Sequence, residues 1–176
     1  MSNILKNGLV QIYTGDGKGK TTAALGLALR ASGYGLKTYI GQFLKGQSYG
    51  ELVALKDNPH ILIEQYGKDT FVHVEQASAE DISHAEKGLQ RVRTAMMSHE
   101  YSLIILDEIF VAIHFHLLSI GQVLDLIREK PQDVELILTG RRAPQELINR
   151  ADLVTEMSEI KHYYQAGIAA RDGIER

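Results

Sequence analysis

Short apolar runs alternate along the chain with longer stretches in which apolar residues recur at steps of three and four. The first pattern suits strands and the second suits helices with one buried face. Residues 8–13 (Gly-Leu-Val-Gln-Ile-Tyr) predict a strand. Residues 21–32, rich in Ala and Leu, predict a helix stopped by Gly33 and Gly35. Two more strands are expected at 36–40 and 60–64. The clearest helix spans 78–98: Ser78 with Asp81 makes a capping-box start, and Ile82, Ala85, Leu89, Val92 and Met96 fall on one face. Residues 103–106 (Leu-Ile-Ile-Leu) form a buried-type strand. Ser119 opens a helix that Pro131 ends, residues 134–138 are the next strand, and 153–155 the last. Strands alternating with helices imply βαβ units with right-handed crossovers. The expected class is α/β, a mostly parallel sheet flanked by helices.

Composition narrows the function classes. The chain has 176 residues, 44% hydrophobic and 23% charged, which suits one ordinary globular domain over residues 1–176. It has three prolines, at 59, 131 and 144, and shows neither a Pro/Gly/Ser-rich linker nor an internal repeat. With no cysteine, disulfides, thiolate zinc sites, iron–sulfur clusters and cysteine nucleophiles are excluded. Lys plus Arg number 19 against 22 Asp plus Glu, a net charge of −3, which argues against nucleic acid as a partner. No apolar run approaches the roughly 18 residues of a membrane span. Residues 1–6 lack the apolar stretch of a signal peptide. A cytoplasmic protein with no membrane partner is expected.

The strongest local signal is Thr14-Gly15-Asp16-Gly17-Lys18-Gly19-Lys20-Thr21-Thr22, between the first strand and the first helix. That is the context of a phosphate loop. Backbone N–H groups and the helix N-terminus would face the phosphates. Lys20 supplies a point charge and Thr21 a hydroxyl for Mg²⁺. Lys18 reads either as a second phosphate contact or as a solvated loop lysine. The spacing is unusual: Thr14 stands where the first glycine of the common pattern belongs, and counting from Gly15 leaves the loop one residue short. Some 90 residues on, the strand at 103–106 ends in Asp107 and Glu108. In a parallel sheet that end lies beside the phosphate loop. Asp107 is placed to hold Mg²⁺ directly or through water, and Glu108 reads as a second metal contact or a general base. Together these residues point to a nucleoside triphosphate with Mg²⁺, without fixing what is done to it.

Several further blocks carry a resemblance. They are residues 23–31 (Ala-Ala-Leu-Gly-Leu-Ala-Leu-Arg-Ala), 42–46 (Gln-Phe-Leu-Lys-Gly), Gly50-Glu51, 139–144 (Thr-Gly-Arg-Arg-Ala-Pro), 151–157 (Ala-Asp-Leu-Val-Thr-Glu-Met), Lys161-His162, Gly167-Ile168 and Gly173-Ile174-Glu175. With the phosphate loop and Asp107-Glu108, the chain resembles the P-loop type of ATP:corrinoid adenosyltransferases over nearly its whole length. The resemblance implies a RecA-like P-loop NTPase fold. It implies transfer of the 5′-adenosyl group of ATP to the Co(I) of a reduced corrinoid, with release of triphosphate and the nucleotide reversed in the loop. Lys20, Thr21 and Glu108 are then catalytic, the segment from Thr14 to Thr22 with Arg30 and Arg141 binds ATP, and Thr21, Asp107 and Glu108 hold Mg²⁺. Arg30 also reads as an arginine that simply ends a helix. Phe71 resembles the family's aromatic residue near the corrinoid, and His73 stands where some members have tryptophan. His73 is then either a cobalt-facing side chain or an exposed loop histidine. A reduced flavoprotein as electron donor and a homodimer are implied partners, the apolar stretch 109–118 serving the dimer or the core.

The competing readings are a P-loop ATPase or small-molecule kinase with Glu108 as base, and a nucleotide-binding regulatory module. His114 and His116 would share one side of a strand, an acceptable metal spacing, but no third ligand stands nearby.

Overall fold

A computed structural model describes residues 5–68 and 77–175. The elements run β1 (Val10–Thr14), α1 (Lys20–Ser32), β2 (Thr38–Phe43), α2 (Gly50–Leu55), β3 (Ile61–Tyr66), α3 (Ala79–Met97), β4 (Leu103–Asp107), α4 (Ile109–His114), α5 (Ile120–Glu129), β5 (Glu135–Thr139), α6 (Gln145–Ile148) and β6 (Leu153–Glu156), then a 3₁₀ turn at Tyr163–Ala166. The strands form one sheet in the order β3-β2-β4-β5-β1-β6, and every described pairing is parallel. The α/β class with helices flanking a parallel sheet is as the pattern predicts.

The strand at the sheet's centre shows why it is buried on both sides. In β4, Ile104 and Leu106 join a core beneath α3, α4 and α5, while Leu103 and Ile105 join a second core beneath α1. Successive strand side chains point to opposite faces, so a fully apolar run serves both layers. Strand β5 repeats this with Leu136 and Leu138 on one face and Ile137 on the other. Helix α1 buries Ala24, Ala28 and Ala31, whose small side chains let it lie close against Ile40, Ile105 and Ile137. Helix α3 begins with the expected capping box: Ser78 accepts from the Asp81 N–H, and Asp81 accepts from the Ser78 N–H.

Three short helices, α2, α4 and α6, were not anticipated, since their four to six residues are too few to show a period. Strand β2 runs to Phe43, beyond the expected end at 40. His114 lies at the end of helix α4 and its ring bonds Arg142, so the one-sided His-x-His strand geometry does not exist. Within 109–118, Ile109, Phe110, Ala112, Ile113, Leu117 and Leu118 are buried in the core, which removes them from any dimer surface. Phe71 and His73 lie outside the described residues. No helix among the described residues is long and apolar enough to cross a membrane.

The sheet's carboxyl edge positions the site. Only six polar or charged residues among those described are buried. Five of them, Thr14, Lys20, Gln42, Asp107 and Thr139, end adjacent strands or open the helix after β1. Ligands of open α/β sheets bind at this edge.

Candidate nucleotide site

The phosphate loop is braced from behind by the chain leaving β6. The Met157 N–H donates to the Thr14 carbonyl at 2.8 Å, and the Gly17 N–H donates to the Met157 carbonyl at 2.7 Å. A Cβ on Gly15 or Gly17 would stand 2.4 or 2.7 Å from that carbonyl oxygen, so both positions exclude a side chain. Gly15 and Gly19 also adopt φ of 98° and 119°, in the left-handed region. Thr14 is structural in its contact: its hydroxyl accepts from the Ala143 N–H at 3.1 Å and so fastens the segment after β5 to β1.

The two loop lysines face opposite ways. The Lys20 ammonium folds under the loop and donates to the carbonyls of Gly15 at 2.7 Å and Gly17 at 2.8 Å. Burial pushes its pKa below the ordinary value, against the pull of nearby Glu108, Asp16 and Asp107. Lys18 instead grips the C-terminal segment. It donates to the Tyr163 hydroxyl at 2.9 Å and the Ile174 carbonyl at 3.0 Å, and pairs with Glu175 at 2.8 Å. Arg171 also reaches the Glu175 carboxylate and lies over the Tyr163 ring, 4.9 Å from its centre. Lys18 is thus an exposed loop lysine, tied to the C-terminal segment, that also lines the cleft described below.

Asp107 is the hub on the facing side. One carboxylate oxygen accepts from Thr21 at 2.8 Å and Thr139 at 2.7 Å; the other accepts from Lys45 at 2.9 Å and Gln42 at 3.3 Å. Four donors use the acceptor capacity of a carboxylate. Glu108 follows at φ 61°, a left-handed turn that swings its side chain out of the strand line, and its N–H donates to Thr139 at 3.0 Å. Burial, then the charge of Asp107, raises the Glu108 pKa, while Lys45, Lys20 and Arg141 hold it down.

These groups surround a cleft of about 650 Å³. The segment from Asp16 to Thr22 lines it, with Glu108 and Arg141 as expected neighbours. Arg141, exposed after β5, is close enough to lower the pKa of both Lys20 and Glu108. Gly15 and Asp107 lie behind the lining. Arg30 is exposed in the last turn of α1, ten residues beyond Lys20, or ~15 Å along the axis at 1.5 Å per residue, and does not line the cleft.

Sequence reasoning singled out no role for Lys45, Tyr49, Glu51, His162 or Glu175, all of which line the cleft. It also missed Gln42 and Thr139 beneath it. The signal lay in the blocks at 42–46, 50–51, 139–144, 161–162 and 173–175, each of which contributes at least one of these residues or their neighbours.

A parallel α/β sheet with a glycine-rich loop after its first strand, a Lys-Thr pair opening the next helix, and an acidic strand end bonded to that threonine defines a P-loop nucleotide-binding protein. The chain belongs to the ATP:corrinoid adenosyltransferase family BtuR/CobO/CobP, which it matches over residues 6–176. It is 34% identical to the corrinoid adenosyltransferase of a Sinorhizobium species, over 97% of this chain and 81% of the relative. It is 33% identical to that of Pseudomonas aeruginosa, covering 97% and 84%, and 32% identical to that of Escherichia coli K12, covering 97% and 86%.

Proposed function

We propose that the cleft binds ATP with its phosphates on the loop from Asp16 to Thr22, and that the Co(I) of a reduced corrinoid displaces triphosphate from C5′. The cobalt electron pair forms the Co–C bond, the C5′–O bond breaks, and its electrons leave with the triphosphate. No proton is transferred, so no general base is required. The protein's work is to align C5′ and to stabilise the leaving charge. The observation that carries the reading, within a chain of this family, is the set of cations around one cleft: Lys18, Lys20, Lys45 and Arg141. Arg30, outside the lining, is left to end its helix.

Mg²⁺ suits the donors present, which are hard oxygens. The Thr21 hydroxyl donates its hydrogen bond to Asp107 and keeps its lone pairs for an ion. Glu108 lines the cleft and offers a second oxygen. Asp107, with four donors already on it, serves by orienting Thr21. Bound Mg²⁺ would neutralise polyphosphate charge. Phe71 and His73 remain proposed corrinoid contacts. The corrinoid is cobalamin or a precursor such as cobyrinic acid a,c-diamide. A reduced flavoprotein supplies the electrons, and the protein works in the cytoplasm as a single-domain homodimer.

An anaerobic reaction of ATP with Co(I)alamin tests the reading, with the cobalt–carbon bond followed by visible absorbance. Intact triphosphate formed in step with adenosylcobalamin is expected. ADP and phosphate released at a rate indifferent to the corrinoid would make the protein an ATPase with Glu108 as base. Running the precursor corrinoid beside cobalamin ranks the two substrates.

A further inference from the structure

The block Gln42-Phe43-Leu44-Lys45-Gly46 has, so far, no chemical task. Its backbone is unusual. Leu44 adopts φ 60°, a conformation that bulky residues rarely hold unless their surroundings enforce it. The enforcement is visible on both sides. A Cβ on Gly46 would stand 2.4 Å from the Lys68 carbonyl carbon, and one on Gly67 would stand 2.5 Å from the Leu44 carbonyl carbon. The turn after β2 therefore lies so close against the end of β3 that neither glycine could carry a side chain.

What the turn delivers is Lys45. Its side chain is only 15% exposed, yet it lines the cleft opposite the phosphate loop. Its ammonium is 2.9 Å from Asp107, 3.6 Å from Glu51, and 5.0 Å from the centre of the Tyr49 ring. An ammonium has three N–H donors. Asp107 accepts one of them, and Glu51 at 3.6 Å is an ion pair beyond hydrogen-bond length, so donor capacity remains for the cleft. Asp107 holds Thr21 of the phosphate loop on one oxygen and Lys45 on the other. One carboxylate thus sets the loop's hydroxyl and the facing ammonium on either side of the space where the polyphosphate would lie.

We propose that Lys45 is a catalytic residue that touches the triphosphate of ATP and stabilises it as the leaving group. This rests on the adenosyl-transfer reading. As the C5′–O bond breaks, its electron pair stays on the triphosphate oxygen and the cobalt goes formally from Co(I) to Co(III). Negative charge therefore grows on the phosphate side of the cleft while nothing is protonated. A lysine already partly desolvated, and held by a close-packed turn, meets that charge with little reorganisation. Asp107 then positions Lys45, just as it positions Thr21.

The test compares Lys45→Met and Lys45→Arg with the unaltered protein at saturating ATP and Co(I)alamin, and measures inhibition by inorganic triphosphate. Lys45→Met is expected to lower kcat by ~10²-fold, the scale of one lost donor to a developing anion. It should raise the triphosphate inhibition constant about tenfold. Lys45→Arg should recover most of the lost kcat, because it restores a cation. A kcat for Lys45→Met within twofold of the unaltered protein overturns the proposal. So does an unchanged triphosphate constant with Lys45→Arg as impaired as Lys45→Met, which marks a structural ion pair. Should Lys45→Met not fold, Lys45→Gln takes its place in the same comparison. Displacement of a fluorescent ATP analogue by triphosphate needs no corrinoid. It therefore decides whether Lys45 touches triphosphate even if the unaltered protein forms no adenosylcorrinoid, an outcome that would defeat the functional reading and with it the leaving-group role, but not the contact.

Discussion

The two walls of the cleft are built on different plans. The phosphate-loop wall is continuous in sequence, running from Thr14 to Thr22, although its brace comes from the chain leaving β6. The opposite wall is assembled across strands. Gln42 and Lys45 come from the end of β2, Asp107 and Glu108 from β4, and Thr139 and Arg141 from β5. One wall is local and glycine-rich. The other is a set of side chains held together by a single buried carboxylate. The difference teaches that a phosphate loop alone does not specify a reaction; the residues that face it do.

Removing the charge from the local wall should have the largest effect. Lys20→Ala is expected to lower kcat/KM by ~10³-fold or more, since the ammonium serves a ligand and not a core. Circular dichroism should be unchanged. Near-full turnover would break the assignment of the loop.

Asp107→Asn strikes the joint between the walls. An amide places two N–H donors where four donors already converge, which leaves buried groups unpaired at ~1–3 kcal/mol. For a domain of this size that corresponds to a fall in Tm of about 2–12 °C, measured by scanning calorimetry. Mg²⁺ dependence should weaken more than ATP affinity measured without metal. Equal losses in both would make Asp107 structural alone.

Glu108→Gln should cost less, about tenfold in kcat, because displacement by Co(I) removes no proton. A loss as deep as that of Lys20→Ala would instead favour a base and hence phosphoryl chemistry.

The smallest effect is expected at the tail. Hydrogen bonds from Arg171, then Lys18 and Tyr163, hold the Glu175 carboxyl far below the usual carboxylate range. A depressed pKa contributes stability that is complete above the unfolded value near 4.3 and fades only as pH falls through the lower folded value. Tail docking, read by limited proteolysis, should therefore be constant from pH 8 to pH 5. Glu175→Gln should speed that cleavage and raise the KM for ATP a few-fold. Cleavage of the unaltered protein that accelerates at pH 6 would show that Glu175 is not the anchor.

The sequence makes local structure legible and leaves long-range convergence unread. The alternating cores of β4, the capped face of α3 and the loop between β1 and α1 all follow from periodicity over a few residues. Lys45 and Gln42 lie 62 and 65 positions from Asp107, and Lys18 lies 157 from Glu175. No window along the chain shows that these meet; the strand order brings them together. Fixed spacing gave the candidate carboxylates, while the donors that saturate Asp107 come from β2 and β5, its neighbours only in the sheet. Arg30 illustrates the converse. A residue close in sequence to the loop is carried away from the cleft by ten residues of helix.

The bracing of the phosphate loop by Met157 also has a consequence for synthesis of the chain. Among the described residues, strand β1 pairs only with β5 and β6, and the loop after it rests on the chain that leaves β6. A nascent chain thus carries the whole Thr14–Thr22 sequence early and has nothing to seat it on until residue 157 has emerged. At about 5–20 residues per second, the remaining residues take several seconds to appear. Helices and the β2–β3–β4 portion of the sheet have that interval to form first. The brace of the phosphate loop is therefore completed only once residue 157 is available.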